Sequence, residues 1–356
     1  MAPSAIVQTA PSHMAVKDQK QVLVNGRPVT DEEREPTPLE AISHGVVMQG
    51  IPTFPTFSEQ RRHALVHMAA IFRFLARTGC TEGQSGHITV RDPEFPGFMW
   101  MNPLGRHFGM LSAGDMICLE IATGRVAGGN TSRPANAAGY LIHAAIHKRR
   151  PDDVHAVCHA HTVAGRAWSA FGRPLEMLTQ DVCNFYGDAQ AVYAEYGGIV
   201  FGAEEGERIA GALGARGKGA VLMNHGLLTV GRTVDEAGFL FGLLDRSCDI
   251  QLRVEAAAAN GNMPKRVISD EEAAYNFRMA SEPHALYREA QPDVEYEFEM
   301  AGGEDVLARG FEYLFPIVPY PLPVLVFLAQ HRSRRPGIVE TSMVFNVAKP
   351  RMQVPT

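Results

Sequence analysis

The stretch Asp153-Val154-His155-Ala156-Val157-Cys158-His159-Ala160-His161 decides how this chain is read. It is short and mostly apolar, the signature of a buried strand. Side chains two residues apart on a strand share a face, so the imidazoles of His159 and His161 project together, and Cys158 between them faces away as packing. A second apolar run, Ala220-Val221-Leu222-Met223, ends in Asn224-His225-Gly226. The glycine lets the backbone turn sharply just after His225. Three histidines from two strands enclose one face of a divalent cation and leave a position open, which is the arrangement of catalytic rather than structural sites. A His-x-His alone says little in a chain with 14 histidines. The second strand and the surrounding residues give it weight.

Those surroundings run in a fixed order: Gly86-His87-Ile88-Thr89-Val90-Arg91-Asp92-Pro93, then Met101-Asn102-Pro103-Leu104-Gly105, then Arg133 through His143, then Arg150-Pro151-Asp152-Asp153-Val154. With the His-Ala-His and Asn-His-Gly that follow, this series resembles the class II aldolase and adducin-head family, closer to its adducin-like branch. The likeness spans roughly residues 60 to 310, and several ordered motifs make it specific. It implies an α/β fold, a three-layer α/β/α sandwich with a central mixed sheet. It implies that His159, His161 and His225 are metal ligands. Zinc is the default ion, and iron or manganese also suit imidazole. It further implies a ring-shaped homotetramer with sites between subunits, where a neighbour completes the cleft.

The chain departs from the aldolases of that family at instructive places. Their acid/base glutamate on the helix before the metal strand falls here at Gly139, and that helix holds no acid at all. Glycine inside a helix costs about 1 kcal/mol relative to alanine, so either close packing or room for substrate has to explain it. Positions that bind sugar phosphates hold Ala137, Ala138 and His87, and only the loop glycine Gly86 remains. Arg106 is a candidate for bidentate pairing with a substrate carboxylate. Gly86, His87, Arg106 and Gly139 are therefore the expected substrate-side residues. Glu82, Asp181 and Tyr186 are candidates to replace the missing base.

A metal held by three neutral imidazoles keeps its charge and acts as a Lewis acid on a carbonyl and an adjacent oxygen. Aldol cleavage needs a base as well, whereas decarboxylation of a β-keto acid needs only the electron sink. The expected function is a metal-dependent C–C lyase, aldolase- or decarboxylase-like, acting on a small oxo or hydroxy acid rather than a sugar phosphate. The competing reading is a non-catalytic, adducin-like scaffold associated with the actin cytoskeleton, suggested by Asn136 to Gly139 and by Ile250-Gln251-Leu252-Arg253-Val254. A scaffold has no use for three retained histidines, and the tail offers only His331-Arg332-Ser333-Arg334-Arg335 in place of a lysine-rich end.

Composition narrows the partners. Hydrophobic residues make up 46% and charged residues 20%, ordinary for a soluble globular protein. The net charge is −6, from 33 basic and 39 acidic residues, with no basic stripe, which argues against nucleic acid. Five cysteines without a CxxC pair, and no signal or transit peptide, point to a reducing, cytoplasmic compartment. The apolar run Phe311 to Leu328 is interrupted by Pro316, Pro319, Pro321 and Pro323, so no membrane span is expected.

Three regions follow: 1–55, polar, Pro-rich and expected to be disordered; 56–310, one folded domain; and 311–356, a Pro-rich extended tail. Helices are expected at Ser58–Arg77, from Pro134 to Arg149, at Val163–Ala170, around Glu204–Leu213, and from a capping box at Thr233 to about Asn260. Gly211 to Gly219 imitates a phosphate loop but misplaces its first glycine and lacks the final Ser or Thr, so it reads as a surface turn.

Overall fold

Eight strands form one sheet: β1 His87–Arg91, β2 Phe98–Met101, β3 Ile117–Glu120, β4 Val126–Gly129, β5 Ala156–Ala160, β6 Gln190–Tyr193, β7 Gly219–Leu222 and β8 Gly226–Gly231. Their spatial order is β4-β3-β2-β1-β5-β8-β7-β6. Every neighbouring pair is antiparallel except β6 and β7, which makes the sheet mixed. A computed structural model describes residues 38–198, 202–259 and 261–314, with a small ladder of Leu23–Val24 and Arg27–Pro28 ahead of them. The expected tail therefore lies largely outside the described residues. Among those residues no helix is long and apolar enough to cross a membrane.

After a short helix at Pro38–Ser43, the helices are α1 Phe57–Arg77, α2 Ala137–Arg149, α3 Val163–Ser169, α4 Ala203–Leu213, α5 Val234–Ala258, α6 Asp270–Ala280, α7 Pro283–Ala301 and α8 Glu304–Ala308. One large core packs α1, α3, α5 and α7 on Ile88, Val90, Cys158, Ala160 and Leu227 of the sheet. A second core packs α2 and α4 on Val157, Leu222, Leu228 and Val230. Side chains alternate along each strand, so the two cores lie on opposite faces. This is the expected three-layer α/β/α sandwich. Cys158 belongs to the α1/α5 face, away from His159, as its position in the strand requires.

Two helix starts differ from expectation for local reasons. Helix α2 begins at Ala137 rather than Pro134. The Pro134 carbonyl accepts Leu104 N at 2.8 Å and Ala135 bridges Pro103, which holds this stretch extended until Asn136 caps the helix through Gly139 N at 2.9 Å. At α5, Thr233 Oγ1 accepts Glu236 N at 3.1 Å, but the Glu236 carboxylate pairs with Lys218 at 2.7 Å and takes Arg232 N at 2.9 Å. The outward half of the expected capping box is replaced by an ion pair that ties α5 to the start of β7. Of the Gly211–Gly219 stretch, residues 211–213 close α4, residues 214–218 form the turn and Gly219 opens β7; Leu240, Phe241, Leu243 and Leu244 are buried core.

Candidate metal centre

His159 lies near the end of β5, opposite Leu228 of β8 and His87 of β1. His161 follows one step beyond the strand. His225 sits in the turn between β7 and β8, where Asn224 takes φ 56° and His225 N donates to Leu222 O at 3.0 Å. Antiparallel pairing of β5 with β8 brings this turn to the same end of the sheet as His161. One ring nitrogen from each of His159, His161 and His225 lies within 4.8 Å of the others. Their ring centroids are 4.8–5.1 Å apart and meet edge to face.

The protonation of these rings follows from their surroundings. His159 Nδ1 donates to Leu227 O at 2.8 Å, which leaves Nε2 with its lone pair. Burial pushes the His159 pKa well below the usual histidine value, and it lowers His225 to about 4, with His161 adding to the effect. His161 is lowered by burial and then by Arg166. Three imidazoles that stay neutral near pH 7, each with a free nitrogen, are the donor set a divalent ion requires.

A sequence profile described as "Class II Aldolase and Adducin N-terminal domain" matches residues 66–252. The chain belongs to that family. The meiotically up-regulated gene 14 protein of Schizosaccharomyces pombe is 38% identical over 255 residues, 72% of this chain and 96% of that protein. A Streptomyces roseochromogenus protein named 4-hydroxy-3-prenylphenylpyruvate oxygenase/4-hydroxy-3-prenylbenzoate synthase is 43% identical over 61% of this chain and 76% of its own length. Decarboxylase NovR of Streptomyces niveus is 42% identical over 61% and 78%. Among solved structures, L-fuculose 1-phosphate aldolase from Glaciozyma antarctica superposes with a TM-score of 0.64 at 36% identity, covering 75% of this chain and 98% of its own. Class II aldolases are generally divalent-metal dependent.

The space beside Gly139, where the resemblance puts the family's glutamate, is filled. A Cβ on Gly139 would lie 2.4 Å from Cδ2, 2.6 Å from Cγ and 2.7 Å from Nε2 of His87. Close packing, not an opening for substrate, therefore explains the glycine in α2. His87 is buried, its ring centroid 4.9 Å from that of His159. Gly86 just before it takes φ 93° and passes under Phe108, 2.8 Å from Cζ to the place of a Cβ.

His87 heads a buried chain that sequence reading missed. His87 Nδ1 is 2.9 Å from His143 Nε2; His143 Nδ1 is 2.9 Å from Thr89 Oγ1; Thr89 Oγ1 is 2.9 Å from His147 Nε2. At the far end His147 Nδ1 lies 3.3 Å from Val154 O, a carbonyl that can only accept. Arg91 Nη2, 3.4 Å from the same nitrogen, already donates to His147 O at 2.6 Å. With His147 Nδ1 as donor, each proton in the chain is set in turn: Thr89 donates to His147, His143 donates to Thr89, and His87 donates to His143. His87 Nε2 is left unprotonated. The signal was present in the sequence, as His143 and His147 are one turn apart on α2 and His87 and Thr89 share a face of β1.

Other expected residues divide. Glu82 is brought to the centre: its charge acts on His161, and its Oε2 takes Arg166 Nη2 at 2.8 Å. Arg166, on α3 just after the metal strand, was not anticipated and is the cation at this rim. Arg106 is engaged by contacts of its own: Nη2 donates to Met110 O at 3.1 Å and Nε pairs with Asp115 at 3.2 Å. Asp181 and Tyr186 are not gathered with the histidines within the chain. Both precede β6, whose Gln190 aligns with Gly219 at the end of β7 opposite to His225, and Tyr186 turns toward Asp270 of α6. The apolar contacts of that segment with α5 and α6 hold it there.

Proposed function

We propose that this chain is a divalent-metal-dependent enzyme that breaks a C–C bond beside the carbonyl of a small oxo or hydroxy acid, with zinc as the first ion to test and iron or manganese next. The observation that carries the reading is the cluster of His159, His161 and His225 with one nitrogen each turned to a common point. Bound there, the ion supplies a Lewis acid for the electrons of the broken bond. His87 Nε2 stands in the place of the family's carboxylate as the proton-handling group. Arg166, whose Nε donates to Thr162 O at 3.1 Å and whose Nη2 pairs with the exposed Glu82, is the group to meet a substrate carboxylate. Its planar fork at the rim orients that carboxylate while the buried histidines stay neutral.

The names of relatives lean the same way. Two proteins above 40% identity carry names with a phenylpyruvate, an oxo acid, and a decarboxylase. The solved structure named as a sugar-phosphate aldolase supports C–C cleavage, but Ala137, Ala138 and His87 stand here where such enzymes bind phosphate, and Gly139 where they place their base. Decarboxylation is favoured over aldol cleavage because it needs no hydroxyl proton removed. An assembly is part of the proposal: a homotetramer in which a neighbour closes the cleft, in a reducing cytoplasm that suits five buried free cysteines. A scaffold role leaves the three-histidine cluster without purpose.

The test is a panel of β-keto acids, α-keto acids and aldol adducts incubated with the purified protein and read by mass spectrometry, with and without chelator. Turnover that chelator abolishes and the metal restores supports the reading. Silence across the panel, together with co-sedimentation with actin, overturns it. Light scattering at micromolar concentration reports the assembly, and a monomer there contradicts the tetramer.

A further inference from the structure

A second histidine cluster lies on the other face of the sheet, in the α1/α5/α7 layer. His63 and His67 are four residues apart on α1, so their rings leave the same side of the helix. Asp235 stands in the first turn of α5. One ligand atom from each of the three lies within 4.8 Å of the other two. Asp235 is 1% exposed and His67 6%. His67 Nδ1 meets Asp235 Oδ1 at 2.5 Å, and Gln291 Nε2 of α7 donates to the same oxygen at 3.2 Å. The ring of His63 lies over that of His67, centroids 3.7 Å apart, and its Nε2 is 3.4 Å from the Tyr287 hydroxyl of α7.

A buried ion pair accounts for half of this. A carboxylate removed from water needs a partner, and one protonated imidazole would serve. That account leaves the placement of His63 poorly explained, because a second imidazole held against an imidazolium is repelled if charged, and if neutral it gains only the long 3.4 Å contact with the Tyr287 hydroxyl. A divalent ion accounts for all three side chains at once: it compensates the carboxylate and uses a lone pair from each ring.

We propose that His63, His67 and Asp235 form a second divalent-metal site, of two imidazoles and one carboxylate, separate from the His159 centre. Zinc bonds of about 2.0–2.1 Å in tetrahedral geometry hold ligand atoms about 3.3 Å apart, so binding opens the His67–Asp235 contact by under about 1 Å. The fourth position falls to water beside Tyr287 and Gln291. The site has a clear structural consequence. His63 precedes the family-matched span of 66–252, and Tyr287 and Gln291 follow it. The ion joins α1 and α5, and α7 reaches the site through Tyr287 at His63 and Gln291 at Asp235.

The experiment strips the full-length protein with chelator, titrates it with zinc or cobalt alone, and counts bound metal after desalting while following Tm. Wild type is expected to hold two equivalents per chain. His159→Ala/His161→Ala should hold one and still gain Tm on adding metal. His63→Gln should lose the other equivalent and the matching part of that gain. This variant changes a half-buried ring and keeps the His67–Asp235 bond, so it remains folded, which circular dichroism verifies. A His63→Gln protein that binds as much metal as wild type overturns the site. So does a wild type whose metal is entirely lost in the His159→Ala/His161→Ala variant. If the His159 centre proves empty instead, a single equivalent lost only in His63→Gln still establishes this site, so the two readings fail separately.

Discussion

The ring of His87 occupies the volume that a side chain on Gly139 would need, with only 2.4 Å between His87 Cδ2 and the place of a Cβ at 139. A glutamate there and a histidine at 87 exclude one another. Position 139 cannot regain the family's acid/base group while His87 is present, because His87 is fixed from behind by His143 at 2.9 Å.

Gly139→Glu alone is therefore expected to destabilise the fold by roughly 1–3 kcal/mol, the usual cost of overpacking, and to weaken metal retention by displacing His87 toward His159. Adding His87→Asn should recover most of the stability, since the smaller side chain vacates the space. Thermal unfolding and metal analysis of the single and double variants check this. A single variant as stable as wild type would show that His87 yields freely.

The fold and the clustering of His159, His161 and His225 were legible because each rests on a short-range rule. Strand parity sets His159 beside His161, and a turn ending in glycine sets His225 at the end of its strand. The capped helix α1 and the buried strand β5 have the same character. What was not legible depended on contacts between distant segments. Nothing near Gly139 in sequence announces His87 as its neighbour, 52 positions earlier. The Thr89–His143–His147 chain exists only because α2 lies across β1. The contact of Arg166 with Glu82 likewise depends on how separate segments meet, while Arg106 is engaged by Met110 and Asp115.

Arg166→Gln is expected to raise KM for a carboxylate-bearing substrate about tenfold or more with kcat changed less, the loss of a charge-assisted pair of about 1.5–3 kcal/mol. Its exposed pair with Glu82 contributes at most about 1 kcal/mol to stability, so Tm should hardly move. Steady-state kinetics on an oxo acid and on its methyl ester decide it. Equal losses on both would show that Arg166 acts elsewhere than on the carboxylate.

Acid should destabilise the metal-free protein from near neutral pH downward. Burial lowers His147 to about 3 and His63 to about 4, while an unfolded histidine titrates near 6.5. Below that value the unfolded chain binds protons that the folded chain refuses, so stability falls as pH falls, until the folded pKa is reached. Each such histidine contributes a slope approaching about 1.4 kcal/mol per pH unit. Urea midpoints between pH 7 and 5 measure the sum. His147→Gln should flatten the curve by one histidine's share, and an unchanged slope would show that His147 is protonated in the fold.

Metal retention at the three-histidine centre should depend unequally on its members. His159 is buried with Nδ1 committed to Leu227 O at 2.8 Å, so its Nε2 is held in place before any ion arrives. His161 and His225 are partly exposed and carry no such fixed bond among the contacts resolved. A ligand oriented in advance loses less freedom on binding, and removing it forfeits both the bond and that advantage. His159→Ala is therefore expected to lose more affinity than His225→Ala, on the order of tenfold beyond it. His159→Gln, which cannot repeat the ring geometry, should resemble His159→Ala. Competition with a chromophoric chelator gives the three affinities directly. A His225→Ala variant that binds more weakly than His159→Ala would place the anchoring ligand in the turn rather than in the strand.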